Sequence, residues 1–139
     1  MTDEYYNIVL VPDERTAQIA TDFAHSAYSP IADEYCLREG KVFPHITLAQ
    51  FKTTESVVIS SLFEKVQAQA PVNLSNIRFT DFYGLPTEQD GIRHLWIGLN
   101  VGPTDEIAEI HAKAHEWVTG AGLEPLNASL SDYWPHMTF

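Results

Sequence analysis

Cysteine is almost missing from this chain of 139 residues. Cys36 stands alone, so no internal disulfide can form, and its neighbours Glu34, Tyr35, Leu37, Arg38 and Glu39 supply neither a second thiol nor a metal-ligand spacing. Basic residues are scarce as well: 8 Lys and Arg stand against 19 Asp and Glu, for a formal net charge of -11. A protein that grips long nucleic acid needs clustered Lys and Arg to neutralise many phosphates, so a groove for a long duplex is excluded. A small anion is not, because backbone donors, hydroxyls or a few cations hold a single phosphate inside a globally negative protein. No apolar run approaches the roughly 18 residues of a spanning helix. The opening Met1-Thr2-Asp3-Glu4-Tyr5 is acidic where a signal peptide is basic. A cytoplasmic protein without a membrane partner is expected. A glycine-rich phosphate loop and a paired-carboxylate metal motif are also missing, so neither cofactor nor metal is expected.

What is present suffices for a core. Hydrophobic residues make up 45% of the chain and aromatics 12%, which fits one domain spanning residues 1–139. Tyr5 to Val11 is an aromatic and β-branched run stopped by Pro12-Asp13, which predicts a strand. Ala17, Ile19, Ala20, Phe23, Ala24 and Ala27 then recur at helical spacing up to Ser29-Pro30. After a loop containing Gly40, Val42 to Phe51 predicts a strand opened by Pro44, with Phe43, His45, Thr47 and Ala49 on one face and Ile46 and Leu48 on the other. A helix from about Ser56 to Gln69, closed by Pro71, precedes two strands, Val72 to Tyr83 and His94 to Val101. The Gly84-Leu85-Pro86 to Gly91 segment is read as the loop between them. A third helix, Thr104 to Thr119, follows Pro103, and Gly120 and Gly122 end it. Leu123 to Tyr133 reads as a loop and Trp134 to Phe139 as the start of a strand. The acidic pairs Asp3-Glu4, Asp13-Glu14 and Asp33-Glu34 fall at element ends, where they solubilise the surface.

One local pattern occurs twice: Phe43-Pro44-His45-Ile46-Thr47-Leu48 and Trp134-Pro135-His136-Met137-Thr138-Phe139. Residues i and i+2 of a strand share a face, so each copy presents one imidazole and one hydroxyl together while Ile46 or Met137 turns into the core. Two imidazoles with pKa values near neutrality serve as complementary base and acid, one taking a proton from an attacking oxygen and the other giving one to a leaving oxygen. Two threonine hydroxyls donate to the non-bridging oxygens of a phosphoryl group, where charge accumulates. A single His-x-Thr on an apolar strand is ordinarily a histidine with a satisfied hydrogen bond. Two copies behind the same aromatic-proline prefix point to function.

On His45-Ile46-Thr47 and His136-Met137-Thr138 the chain resembles the two-histidine (2H) phosphoesterases, which include the bacterial RNA 2′,3′-cyclic phosphodiesterases also called 2′-5′ RNA ligases. The resemblance extends to element order, through the strand ending near Pro12 and the central Leu95-Trp96-Ile97-Gly98-Leu99 strand. It implies an α+β, two-lobed fold with concave antiparallel sheets around a central cleft and helices outside. It also implies metal-independent hydrolysis of a 2′,3′-cyclic phosphate or a 2′-5′ linkage on a nucleotide or RNA 3′ end, by a monomer. Carried over residue by residue, His45 is the general acid and His136 the general base, or the reverse, with Thr47 and Thr138 on the phosphate. Phe43, Tyr83 and Trp134 are candidates to stack a base or ribose, and Arg93 is a candidate cation. The family continues for some tens of residues beyond its second motif, so the expectation is either a missing C-terminal segment or a reduced variant with an incomplete lobe.

Two other readings compete. One is a relative that binds a nucleotide or RNA end without turning it over. The other is a metalloprotein built on His111 and His115, an i, i+4 pair on the third helix, but without a third ligand in sequence the pair reads as a solvated helix face. His25 and His94 read as ordinary surface or partly buried residues.

Overall fold

The computed structural model describes residues 2–32, 35–38, 41–69, 72, 74, 77–102, 105–127 and 132–139. The expectations placed on Asp33, Glu34, Gly40, Pro71, Pro103 and Thr104 lie outside the described residues. Elements follow in the order β1 (Glu4–Leu10), α1 (Glu14–Tyr28), β2 (Ile46–Thr53), α2 (Ser56–Gln67), β3 (Phe79–Gln89), β4 (Ile92–Val101), α3 (Asp105–Gly120) and β5 (His136–Thr138). The class is α+β, as the sequence predicts. One sheet has the order β1-β2 and the other β3-β4-β5. The chain divides into two compact units, the first made of Met1–Val9, Thr47–Arg78 and Gly102–Pro135, the second of Leu10–Ile46, Phe79–Val101 and His136–Phe139. No described helix is long and apolar enough to cross a membrane.

In the first unit the α3 residues Ile107, Ile110, Ala114 and Val118 recur at helical spacing and are buried, as is Leu62 of α2. Tyr6 of β1 stacks on Phe51 of β2 with ring centroids 5.6 Å apart. The backbone of β2 is also satisfied by the segment before the second motif. Leu126 N–H donates to the Gln50 carbonyl at 2.7 Å. The Asn127 side chain accepts from Gln50 N–H at 2.9 Å and donates to the Leu48 carbonyl at 3.0 Å. These bonds close off groups that a bare strand would offer to another chain.

In the second unit Asp13 caps α1, its carboxylate accepting from Thr16 N–H at 3.0 Å and from the Thr16 hydroxyl at 2.9 Å. Both bonds favour the ionised form and hold the Asp13 carboxyl below its ordinary range. Ala20 and Ala24 form the buried stripe of α1. Phe23, Tyr28, Phe82 and Phe139 make an aromatic cluster around it, with centroid separations of 5.2 Å for Phe23–Phe139 and 6.0 Å for Tyr28–Phe139. Phe139 is fixed by its backbone too: its N–H donates to the Ile97 carbonyl and its carbonyl accepts from Leu37 N–H, both at 2.9 Å. Cys36 is buried and its thiol donates to the Ala24 carbonyl at 3.6 Å.

Several boundaries differ from the sequence reading. The first motif strand begins at Ile46 instead of Val42, because Val42 pairs back with Arg38 in an isolated bridge and Pro44 has no N–H to give a ladder. The strand expected from Val72 begins at Phe79, which faces Val101, the last residue of β4, and just before it the Arg78 carbonyl accepts from Gly102 N–H at 2.6 Å. The expected Gly84 to Gly91 loop is strand as far as Gln89; the turn is Asp90-Gly91, with φ of 53° and 77°. Two consecutive positive φ values make the two-residue hairpin turn that an Asp-Gly pair favours. Pro86 is tolerated inside β3 because β3 lies at the sheet edge. The second helix ends at Gln67, two residues before the expected Gln69, with Ala68 N–H donating back to the Glu64 carbonyl.

Candidate active site

The two motif copies have the same burial pattern, residue for residue. Phe43 and Trp134 are exposed, Pro44 and Pro135 buried, His45 and His136 half-buried, Ile46 and Met137 buried, Thr47 and Thr138 half-buried, and Leu48 and Phe139 buried. Ile46 keeps 4% of its surface and Met137 none. The period-two alternation therefore does in both copies what the sequence predicts: it sinks the apolar residue and leaves an imidazole and a hydroxyl accessible. Beyond Thr47 the accessible run ends, since Ala49 is fully buried.

His45 lies in the second unit, immediately before β2. Its Nδ1 is 3.0 Å from the Phe43 carbonyl oxygen, and its ring packs on that of Phe43 at 5.5 Å. A carbonyl only accepts, so Nδ1 carries the proton and the neutral ring has its lone pair on Nε2. Nε2 is thus the nitrogen through which His45 exchanges a proton. Thr47 lies in the first unit, and its carbonyl accepts a 2.7 Å hydrogen bond from the Tyr133 hydroxyl. Burial pushes the Tyr133 phenol up to about 12, which keeps that donor protonated.

His136 and Thr138 lie in β5, opposite Asn100 and Gly98 of β4. Gly98 also faces Tyr83 of β3 on its other side. With no side chain between them, the Tyr83 ring reaches across Gly98 to β5. Its hydroxyl shares a 2.7 Å hydrogen bond with the Thr138 hydroxyl, and its ring meets the His136 ring edge to face at 5.4 Å and 85°. A Cβ on Gly98 would stand 2.6 Å from Tyr83 Cε1, 2.8 Å from its hydroxyl, and against the Met137 carbonyl oxygen. Glycine is required there by close approach, not by backbone angle. Burial raises the Tyr83 pKa, opposed in part by the Thr138 hydrogen bond.

A cavity of about 240 Å³ opens beside Thr138 within the second unit. Tyr28, Tyr35, Trp96 and Phe139 give it aromatic walls, and Arg93 and His94 stand on its lining with Thr138. Tyr35 and Trp96 meet edge to face at 5.8 Å, and the Trp96 indole N–H donates to the Thr87 hydroxyl at 3.2 Å. Burial raises the Tyr35 pKa, and the neighbouring Tyr83 and Cys36 push it the same way. Arg93 is largely exposed, 3.9 Å from Glu88. The structure thus brings Thr138, Tyr83 and His136 into contact, and sets Arg93 on the cavity that Thr138 shares. Phe43 packs on His45, and Trp134, in the first unit, does not line this cavity.

Sequence reasoning missed Tyr35, His94 and Trp96. The available signal was the alternation His94-Leu95-Trp96-Ile97-Gly98, which puts His94, Trp96 and Gly98 on one face of β4.

The His111–His115 pair is not a solvated face. His111 is 1% exposed, with its ring stacked on Tyr133 at 3.7 Å and tilted against His115 at 4.2 Å. His115 is half-buried, and its Nε2 is a buried atom with no hydrogen-bond partner among the described residues. Among the described residues no group of three or more His, Cys, Asp or Glu is placed to hold a metal ion. His111 packs as an aromatic and supports the tyrosine that holds Thr47.

No protein-family model, curated protein or solved structure matches the chain.

Proposed function

We propose that the chain is a metal-independent phosphodiesterase that hydrolyses 2′,3′-cyclic phosphates, or 2′-5′ linkages, of nucleotides or RNA ends. The observation that carries this reading is the identical burial of the two motif copies, which leaves the histidine and threonine accessible in both. Independent apolar strands that each held an incidental histidine have no reason to match at six consecutive positions.

One imidazole, unprotonated, takes a proton from water as the water oxygen attacks phosphorus. The bond from phosphorus to one ribose oxygen breaks, and the other imidazole, protonated, gives its proton to that oxygen. Two imidazoles supply both transfers, so the scheme calls on no metal. His45 is equipped for either role through Nε2, since Nδ1 is committed to Phe43. The threonine hydroxyls donate to the non-bridging oxygens as they gain charge. The cavity beside Thr138 supports a substrate with a flat aromatic group next to its phosphate: Tyr35 and Trp96 offer ring surfaces, and Arg93 offers a positive charge at the mouth. A net charge of -11 suits a short ligand held at one phosphate better than a long strand.

Hydrolysis of 2′,3′-cyclic mononucleotides in the presence of a chelator tests this function. Turnover that survives chelation and is lost in His45→Ala and in His136→Ala supports it. Nucleotide binding without turnover would convert the protein into a binding relative, and turnover that depends on added metal would contradict the scheme.

A further inference from the structure

Tyr83 touches both chemical groups of the second motif, the Thr138 hydroxyl and the His136 ring. The notch at Gly98 admits its ring, since a Cβ there would meet both that ring and the Met137 carbonyl oxygen. A tyrosine half-buried over a glycine, between two motif residues, is committed to them. It is therefore poorly placed to serve as the stacking surface the sequence suggested.

The hydrogen bond between the two hydroxyls has a direction with a chemical consequence. Thr138 has one proton and two lone pairs. If it spends the proton on Tyr83, it presents only lone pairs to an anionic oxygen and repels it. If it accepts from Tyr83, its proton is released toward the ligand. The phenol is the more acidic of the two hydroxyls and the better donor, and its burial favours the protonated phenol that such a donor needs.

We propose that Tyr83 is a positioning residue for the second motif: it donates to Thr138, turning the threonine proton toward a bound phosphate, and its ring fixes the plane of the His136 imidazole. The proposal rests on the reading that Thr138 holds phosphate, and it adds a residue from outside either motif to that task. In the first copy the tyrosine bond goes elsewhere, from Tyr133 to the Thr47 backbone carbonyl, so the Thr47 hydroxyl has no such director among the hydrogen bonds of Tyr133.

The test uses the whole chain with Tyr83→Phe, which keeps the ring over Gly98 and removes only the hydroxyl. Inorganic phosphate is the probe, with its affinity measured by calorimetry and the His136 ring followed by NMR. Tyr83→Phe is expected to weaken phosphate binding about fivefold, the worth of one hydrogen bond. In a Thr138→Ala background the same substitution is expected to change nothing, because the hydroxyl it directs is gone. In the Tyr83→Phe chain the His136 ring resonances are expected to hold their positions, and in Tyr83→Ala to move. Equal phosphate affinity in the unsubstituted and Tyr83→Phe chains overturns the proposal, and so does a Tyr83→Phe effect that persists without Thr138, or an unsubstituted chain that binds no phosphate. Turnover separates this from the proposed function: a chain that shows the coupled phosphate binding but hydrolyses no cyclic phosphate keeps Tyr83 in its role and loses the hydrolytic reading.

Discussion

The two motif copies share their burial and differ in what holds them. In the first, two hydrogen bonds run to the backbone: Phe43 offers its carbonyl to His45, and Tyr133 bonds the Thr47 carbonyl, a tie that does not use the threonine hydroxyl. In the second, the contacts run to side chains: Tyr83 meets the His136 ring and bonds the Thr138 hydroxyl itself. Each copy thus has a tyrosine at 2.7 Å from its threonine residue, bound to a different atom of it. The difference teaches that a repeated sequence fixes which residues are accessible, while neighbours far away in the chain decide how each is oriented. In the first copy the tautomer of the histidine is set by its own segment. In the second, the orientation of both groups depends on a strand that lies earlier in the sequence.

Substitutions at the histidines give the largest expected effects. His45→Ala and His136→Ala should each lower turnover of a 2′,3′-cyclic nucleotide by roughly 10²–10⁴-fold, the usual worth of a proton-transfer group. A large loss in one copy alone would break the symmetry that the shared burial suggests. Next come the buried residues between histidine and threonine. Ile46→Ala and Met137→Ala should each cost about 2–5 kcal/mol in denaturant unfolding, in line with their near-complete burial. A cost below 1 kcal/mol at either would show that its strand is not packed as described.

Gly98→Ala sharpens the contrast, because among the described residues no glycine stands beside the first copy in the same way. Its added methyl group must push Tyr83 or the Met137 carbonyl aside, at about 1–3 kcal/mol. Phosphate binding should fall with it, and an alanine variant that binds and melts like the parent would contradict the close approach.

Tyr133→Phe should have the smallest effect, about 1 kcal/mol for one hydrogen bond, read by thermal or denaturant melting. Its pH dependence has a definite sign. Burial raises the phenol of Tyr133 from 10.0 to about 12, so folding favours the protonated form. The stability this contributes is full below pH 10.0 and is lost as pH rises toward about 12. The parent chain should therefore lose stability relative to Tyr133→Phe across that alkaline window. A difference that stays constant with pH would remove the buried phenol from the account.

Local signals in the sequence were legible where burial and periodicity act alone. The helix running up to Ser29-Pro30, the apolar stripe of α3 and the turning-in of Ile46 and Met137 follow from spacing, because each depends on residues a few positions apart. The hairpin was misread because Pro86 and Gly84 suggested a loop, and only the edge position of β3 makes that proline harmless. His111 was misread because an i, i+4 histidine pair on a helix gives no sign of which way it faces; Tyr133, from another segment, supplies the partner that buries it. Tyr83 was recognised as a candidate but not for its contacts, since the register that places it across Gly98 from Thr138 joins three strands distant in sequence. The cavity residues Tyr35 and Trp96 escaped for the same reason.

The central claim is that the two copies work as one acid–base pair, and the pH profile of kcat/KM on a 2′,3′-cyclic nucleotide, in chelator, tests it most directly. A bell is predicted for the parent chain, set by one protonated and one unprotonated imidazole. His45→Ala and His136→Ala should each retain a residual rate that has lost one limb of the bell, and the limbs should be opposite ones. A parent profile without a bell, or variants that keep both limbs and full turnover, would contradict the account.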